Sequence, residues 1–187
     1  MPKQEIRVIG FDDGHFNKFK DKETWIVGSV FRGGSFLEGI LSAKISVDGN
    51  DSTQTLAAMI NKCKFKPQLQ AIFLDGIAVA GFNIVDIQKL SKGTRIPVIA
   101  VMRKRPNVKT IHAALEKIGK KEKITVLEKA GPIHSAGKIF IQISGISLEK
   151  ATALLPIVCT RSNIPEALRI AHIIASGITL GESRGNA

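Results

Sequence analysis

The stretch QAIFLDGIAVAGFN, residues Gln70–Asn83, joins an apolar run to a carboxylate and a glycine. The run Ala71–Leu74 has the length and composition of a strand that is buried on both faces. Asp75 ends the run, and Gly76 follows with no side chain. Open α/β sheets place their sites at strand ends, so this stretch predicts a central strand that leads into a functional site.

Three β-rich segments come before this strand, at Ile6–Phe11, Thr24–Phe31 and Glu38–Val47. Short turns rich in glycine and aspartate separate them, and such connections predict an antiparallel meander. The fourth segment, Asp51–Lys64, opens with a helix-capping residue and has apolar residues at helical spacing.

Helices and strands alternate after the central strand. Helices are predicted at Phe82–Gly93 and Asn107–Gly119, with an apolar strand at Ile96–Met102 between them. This alternation is typical of parallel strands covered on both faces. The last third predicts strands at 124–131 and 138–145, a helix at 147–158 that bends or ends near Pro156, and a helix at 164–177. One α/β domain over residues 1–187 is therefore expected.

The composition indicates a globular protein and argues against the membrane-spanning and disulfide-rich classes. Of 187 residues, 44% are hydrophobic, so a large core is available. No apolar stretch approaches the ~18 residues of a membrane span, and no signal peptide is visible, so no membrane partner is expected. Cys63 and Cys159 lie far apart, which argues against a disulfide framework and favours a cytoplasmic location.

The formal net charge is +11, and it is unevenly distributed. Residues 1–102 contain 13 Lys and Arg against 10 Asp and Glu, whereas residues 103–187 contain 14 against 6. An excess of this kind favours a polyanionic partner, of which nucleic acid is the usual one. A lysine-rich surface with no such partner is the alternative.

Five aspartates follow the first strands of the chain: Asp12, Asp13, Asp48, Asp51 and Asp75. If the strand ends meet at one sheet edge, these carboxylates repel one another, and Mg²⁺ or Mn²⁺ relieves that cost. Each also has an ordinary explanation as a turn residue beside a glycine, or, for Asp51, as a helix N-cap.

Further candidates accompany the carboxylates. Arg103, Lys104 and Arg105 follow a predicted strand and are candidates for phosphate contact, although a solvated charge run is the alternative. Gly76 leaves room for a substrate backbone. His172 shares a helical stripe with apolar residues, and it is either a core histidine or a further ligand or proton carrier.

The order of these residues resembles the endonuclease V family, on the ribonuclease H-like fold, and more closely an archaeal family called endonuclease dU. The resemblance covers about Ile6 to Gly177. It is carried by the following segments: GFD at 10–12, Asp51 with LAAM five residues later, LDG at 74–76, IPVIAVMR at 96–103, ISLEKA at 146–151 and PEALRIAH at 165–172.

The resemblance implies a ribonuclease H-like mixed sheet in which Asp12, Asp51 and Asp75 bind Mg²⁺, with Asp13 and Asp48 as second choices. His172 stands where endonuclease V has an aspartate. The wedge by which that family probes deaminated bases is absent, and GGSFLEG occupies its place.

The expected function is therefore divalent-metal-dependent cleavage of DNA, with deaminated bases and DNA repair suggested by the resemblance and RNA as a second substrate class. Two alternatives remain open: a nucleic-acid-binding protein without catalysis, and a metal-dependent phosphatase or nucleotide hydrolase. Nothing in the sequence indicates the oligomeric state.

Overall fold

A computed structural model describes residues 5–185, which form one seven-stranded mixed sheet, a two-stranded ribbon and six α-helices. The main strands are β1 Arg7–Asp13, β2 Glu23–Arg32, β3 Phe36–Ser46, β4 Leu69–Asp75, β7 Val98–Met102, β8 His134–Ala136 and β9 Ile139–Ser144. The ribbon is β5 Ala78–Val79 and β6 Asn83–Ile84. The helices are α1 Ser52–Lys62, α2 Ile87–Thr94, α3 Val108–Lys117, α4 Glu122–Lys129, α5 Leu148–Val158 and α6 Glu166–Leu180.

The sheet has the strand order β3-β2-β1-β4-β7-β9-β8. Strands β1 to β3 form the predicted antiparallel meander, and β4 and β7 continue from β1 in parallel. Strands β9 and β8 return antiparallel. Because β1, β4 and β7 are parallel neighbours, their carboxyl ends lie at one edge of the sheet, where the sequence predicts a site.

Two apolar layers cover the sheet, and side-chain alternation along β1 and β4 supplies both. Ile9, Phe11, Ile72 and Leu74 face the layer that contains α1 and α2. Val8, Ala71 and Phe73 face the layer that contains α5 and α6. All seven of these residues are fully buried, so the alternation fixes which residues of each strand face which layer.

Gly10 on β1 brings α6 close to the sheet. A Cβ at this position would lie 2.5 Å from the backbone carbon of Ala167. The hydroxyl of Ser29 on β2 donates to the carbonyl of Ala167 at 2.6 Å and holds the same turn of the helix. These contacts hold the first turns of α6 over β1 and β2. The rest of the helix runs toward the carboxyl ends of β1 and β4.

The prediction of a strand at 124–131 is wrong. This segment lies within and just after α4, although Ile124, Thr125 and Val126 are β-branched. The helix places Lys123, Val126 and Leu127 on one side, where the two apolar residues pack against the α1 layer. Tertiary packing therefore overrides the local preference for a strand.

Two predicted boundaries also move, those of α2 and α6, while α5 keeps its predicted end. The helix predicted at 82–93 begins later, because Asn83 and Ile84 pair with β5 and the side chain of Asp86 caps α2. Helix α5 continues through Pro156 to Val158. Helix α6 passes Gly177 and ends at Leu180, with Gly181 as its left-handed cap. No helix within residues 5–185 combines the length and apolar character needed to cross a membrane.

Lys123 is a buried cation that ties three segments together. It is 3% exposed, and its ammonium donates to the carbonyls of Asp48, Gly49 and Phe82. Burial, followed by the charge of Lys120, lowers its pKa from the ordinary lysine value. The amine therefore joins α4 to the β3–α1 loop and to the ribbon.

Lys123→Met is expected to destabilise the protein by about 2–4 kcal/mol, because buried carbonyls lose their donor. Lys120→Met is the matched control. Its ammonium also donates to the carbonyl of Asp48, at 2.7 Å, but that carbonyl keeps Lys123. Lys120→Met should lower the free energy of unfolding, measured with urea, by less than about 1 kcal/mol. Equal effects of the two changes would contradict the bracing role of Lys123.

Candidate active site

Asp12 and Asp75 lie side by side at the shared strand edge. The last paired residues of β1 and β4 are Phe11 and Leu74, so the aspartates that follow are in register on strands about 4.8 Å apart. Side chains alternate between the two faces of a strand, and those of Asp12 and Asp75 are both on the face toward α6. Of the three carboxylates expected to converge, Asp12, Asp51 and Asp75, the structure brings Asp12 and Asp75 together.

His172 on α6 lies over Asp12. It follows Leu168 by four residues, about 6 Å along the helix, while Asp12 follows Gly10 by two, about 6.6 Å along the strand. Because α6 approaches β1 closely at Gly10, it also brings His172 close to Asp12. His172 Nδ1 lies 2.8 Å from Asp12 Oδ2. Asp12 Oδ1 accepts from the amide of Asp13 at 3.0 Å.

Both ring nitrogens of His172 are engaged. Nε2 lies 3.1 Å from the carbonyl oxygen of Arg184, which can only accept, so this nitrogen carries a proton. The hydrogen bond to Asp12 raises the pKa of His172 above its ordinary value, which favours a proton on Nδ1 as well. Both ring nitrogens of His172 are therefore held by hydrogen bonds, and neither is left for a metal ion in this arrangement.

Asp75 is repelled by the negative charge of Asp12. Burial, followed by the charge of Asp12, raises the pKa of Asp75 above its ordinary value. Arg103 opposes both effects, because its Nη1 lies 3.2 Å from Asp75 Oδ2. The arginine predicted to contact phosphate is thus paired with a carboxylate of the site.

Asp13 points to the opposite face of the sheet. Its Oδ2 accepts from the amide of Ala80 in the turn between β5 and β6, at 3.0 Å. Burial, followed by the charge of Asp12, raises the pKa of Asp13 to about 7. Two adjacent aspartates therefore have different surroundings, and only Asp12 shares a face with Asp75.

Asp13→Asn is expected to stabilise the metal-free protein by about 2–4 kcal/mol at pH 8, because the native pKa rises from its ordinary 3.8 to about 7. Ionisation of this carboxylate lowers the free energy of unfolding. The loss is absent below pH 4, grows as the pH rises, and is complete above pH 7. The stability difference between variant and unmodified protein should therefore widen from pH 5 to pH 8 in urea unfolding. A constant difference would contradict the raised pKa.

Asp51 and Asp48 are engaged in structural bonds. Asp51 accepts from the hydroxyl of Ser46 at 2.9 Å and from the amide of Asn83 at 2.6 Å. Burial alone would raise the pKa of Asp51, but these hydrogen bonds outweigh it and lower that pKa. Its side chain does not cap α1, and Asn83 Oδ1 instead accepts from the amide of Ser52.

Asp48 adopts a left-handed turn with φ of 54°, and its carboxylate accepts from the amide of Phe82 at 2.7 Å. The ordinary explanation of Asp48 as a turn residue therefore fits the structure. Metal binding by Asp48, Asp51 or Asp13 stays a prediction, and for each of them an ion would compete with the hydrogen bonds just described.

The carboxylate oxygens at the ends of β1 and β4 are suitable ligands for a hard divalent cation. Within residues 5–185, no group of three His, Cys, Asp or Glu side chains is arranged to hold an ion unaided. Asp12 and Asp75 nevertheless offer two carboxylates whose mutual repulsion a cation would relieve. Mg²⁺ is commonly held by one or two carboxylates together with substrate phosphates and water, so the residues present fit such an ion.

An apolar cavity of about 340 Å³ opens beside Gly76. Gly76 has φ of 73°, and a Cβ there would meet no atom within 4 Å, so the entrance is open. The cavity lies between the ends of β4 and β7 and the helices α3 and α4, and the following residues line it: Ile77, Ile84, Met102, Ile111, Leu127 and Gln142. Its size is within the range of small-molecule sites.

Lys104 and Arg105 are exposed on the loop that leaves β7, next to Arg103. They leave the same sheet edge as Asp12 and Asp75, and phosphate contact by them stays a prediction. Two larger clefts, of about 600 and 480 Å³, surround the turn at Gly33 and Gly34 on the opposite edge, away from Asp12 and Asp75.

Sequence reasoning missed two parts of the site. The carbonyl of Arg184 holds His172 through a chain reversal after α6, and Gln142 gives the cavity its polar side chain. The amide of Gln142 donates to the carbonyl of Gly131 at 2.9 Å. Neither residue belongs to a recognisable motif. The one available signal was Gly181, whose position after a helix is typical of a reversal.

A family model described as endonuclease dU matches residues 4–179. A UPF0215 protein of Methanothermobacter thermautotrophicus is 45% identical over 190 residues, which covers 99% of this chain and 93% of the relative. A crystal structure of a protein of unknown function from Archaeoglobus fulgidus has a TM-score of 0.89 at 37% identity, with 95% of this chain and 100% of that chain covered.

Similarity of fold extends further. The endonuclease V of Ciona intestinalis, solved with a 24mer DNA that contains inosine followed by a ribo-adenosine, has a TM-score of 0.59 at 16% identity. The match covers 89% of this chain and 82% of that one. The endonuclease V of Bacillus subtilis gives 0.62 at 9% identity, over 90% and 78% of the two chains. The predicted ribonuclease H-like fold is confirmed.

Proposed function

The chain belongs to the endonuclease dU family, and we propose that it is a divalent-metal-dependent nuclease that hydrolyses a phosphodiester bond of DNA. The observation that carries this proposal is the pairing of Asp12 with Asp75 under His172, on one face of the sheet edge. Family membership and the endonuclease V fold support nucleic acid as the substrate.

Asp12 and Asp75 would hold Mg²⁺ or Mn²⁺, which supplies charge stabilisation of the phosphoryl group and an acidified water. His172 fixes the orientation of Asp12 through Nδ1 and keeps a proton next to that carboxylate. Arg103 balances the charge of Asp75 in the free protein, and its guanidinium can turn toward a bound phosphate. Lys104 and Arg105 would bind neighbouring phosphates of the strand.

The cavity beside Gly76 would take an unpaired base. It opens beside Gly76, the residue that follows Asp75, and has an apolar wall for the base plane. The Gln142 amide is the group of its lining able to contact polar atoms of a base. Unstacking a damaged or mismatched base costs less than unstacking a paired one, so a deaminated base is the favoured occupant. RNA is the second candidate strand.

A panel of labelled oligonucleotides with and without a deaminated base, incubated with Mg²⁺, Mn²⁺ or EDTA, tests the proposal. Cleavage with either ion and none with EDTA is the expected result. Tight binding without cleavage would instead support a nucleic-acid-binding protein. Release of phosphate from nucleotides, with oligonucleotides left intact, would support a phosphatase.

A further inference from the structure

The loop between β1 and β2, residues 14–22, leaves the strand that carries Asp12, and its base is rigidly held. The amide of Gly14 donates to the carbonyl of Trp25 at 2.7 Å, and the amide of His15 donates to Thr179 Oγ1 of α6 at 2.9 Å. The hydroxyl of Thr24 donates back to the carbonyl of Gly14 at 3.1 Å. The loop is therefore fixed to β2 and α6 at the site edge.

Two phenylalanines of this loop have opposite surroundings. Phe16 is partly buried against the α1 layer and lies next to Gly81 in the ribbon turn. Phe19, three residues later, is 87% exposed, more than any other large hydrophobic residue of the described chain. The loop thus anchors one ring and presents the other.

The tip that presents Phe19 is a closed turn. The carbonyl of Asn17 accepts from the amides of Lys20 and Asp21, at 3.0 and 2.8 Å. The side chain of Asn17 accepts from the amide of Phe19 at 2.9 Å, and the side chain of Asp21 accepts from the amide of Asn17 at 2.7 Å. Because the backbone is fixed, the ring loses little freedom when it makes a contact.

Lysines neighbour the exposed ring in sequence, and one of them lies over it. Lys18 and Lys20 flank it in sequence, and Lys18 Nζ lies 4.9 Å from the ring centroid. Lys22 follows at the base of the loop, while the nearby carboxylate of Asp21 is occupied within the turn. An aromatic face between lysines is the combination that binds single strands, in which the ring stacks on a base and the cations meet phosphates.

We propose that Phe19 stacks on a nucleobase of a strand bound at the Asp12–Asp75 site. The inference rests on the proposed function for the nucleic acid as partner and for the site at which the strand binds. Phe19 follows Asp13 by six residues, each of which spans at most about 3.6 Å, so the Cα of Phe19 lies within about 22 Å of that strand end. At about 3.4 Å per nucleotide of a stacked strand, this distance corresponds to about six nucleotides.

Binding in EDTA tests the inference without cleavage. Labelled single-stranded DNA and duplex DNA are titrated with the unmodified protein, Phe19→Ala and Phe19→Trp. Phe19→Ala should weaken binding of single-stranded DNA about tenfold, the value of one stacked base, and Phe19→Trp should retain it. The dependence of log Kd on log salt should stay the same, because no cation is removed.

Phe36→Ala is the matched control. Phe36 is 54% exposed and also lies under a cation, with the guanidinium carbon of Arg32 4.9 Å from its centroid, but it begins β3 on the opposite edge of the sheet. This variant should bind DNA within twofold of the unmodified protein. A second readout is direct: in a Trp25→Phe background, Phe19→Trp provides the single tryptophan, and the oligonucleotide should quench its emission.

Three results would overturn the inference: Phe19→Ala binding within twofold of the unmodified protein, no binding of either DNA by the unmodified protein, or Phe19-dependent binding of phosphatidylserine vesicles in place of DNA. The proposed nuclease activity stands or falls separately. Loss of affinity in Phe19→Ala with no metal-dependent cleavage by any form would contradict the activity alone. Cleavage with unchanged Phe19→Ala binding would contradict the stacking alone.

Discussion

Asp75→Asn should abolish metal-dependent cleavage, with a loss of at least about a hundredfold, while the protein stays folded. A metal ion supplies several kcal/mol of transition-state stabilisation, and each 1.36 kcal/mol is a factor of ten in rate. The amide nearly conserves the volume of the carboxylate, so no cavity is created. Cleavage assays with Mg²⁺ measure the loss.

The same change should leave the stability of the metal-free protein level or raise it. Burial and the charge of Asp12 both raise the pKa of Asp75, so removal of its charge relieves an unfavourable interaction. The ion pair with Arg103 is lost, but that arginine is exposed, and such pairs contribute little. Stabilisation by added Mg²⁺ should shrink, since it follows the affinity of the native state for the ion.

Thermal melts with EDTA and with Mg²⁺ separate this expectation from a purely structural role. Asp86→Asn is the matched control, because it removes one negative charge from the half-buried cap of α2 and asparagine caps equally well. The control should keep both cleavage and the Mg²⁺-induced shift. If Mg²⁺ shifts the melting temperature of neither the unmodified protein nor Asp75→Asn, Asp75 is not a ligand.

DNA binding should weaken about a thousandfold between 50 and 200 mM salt. Six phosphate contacts produce a fall of this size, because each contact releases a condensed counterion. The net charge of +11, concentrated after residue 102, provides the necessary cations. Fluorescence anisotropy with labelled DNA in EDTA gives the slope, and a flat response would favour a small phosphorylated substrate.

The double variant Lys104→Ala, Arg105→Ala should reduce that slope by about two, one for each phosphate contact. Arg103→Ala adds a different effect, because it also removes the cation that lowers the pKa of Asp75. Lys89→Ala with Lys92→Ala is the matched control, since these exposed lysines lie on α2, which leads away from the site edge. An equal loss of slope in the control would assign binding to diffuse charge alone.

The sequence by itself determined the central part of the fold. Apolar runs at Ala71–Leu74 and Ile96–Met102, separated by a capped helix, are read from local chemistry, because buried parallel strands need continuous apolar residues and helices need polar ends. The same local chemistry placed Asp75 and Gly76 at a strand end. It failed at residues 124–131, where β-branched residues suggest a strand and packing of one helix side imposes α4.

Only the tertiary structure decided which carboxylates form the site. Alternation separates Asp12 from Asp13, but the sequence does not say which face α6 covers, and that depends on the contact between Gly10 and Ala167 from distant parts of the chain. The same contact places His172 over Asp12. The bond of Asp51 to Asn83 likewise depends on a ribbon formed more than thirty residues later. A site assembled from separate strands and a distant helix is fixed by packing, which no local pattern encodes.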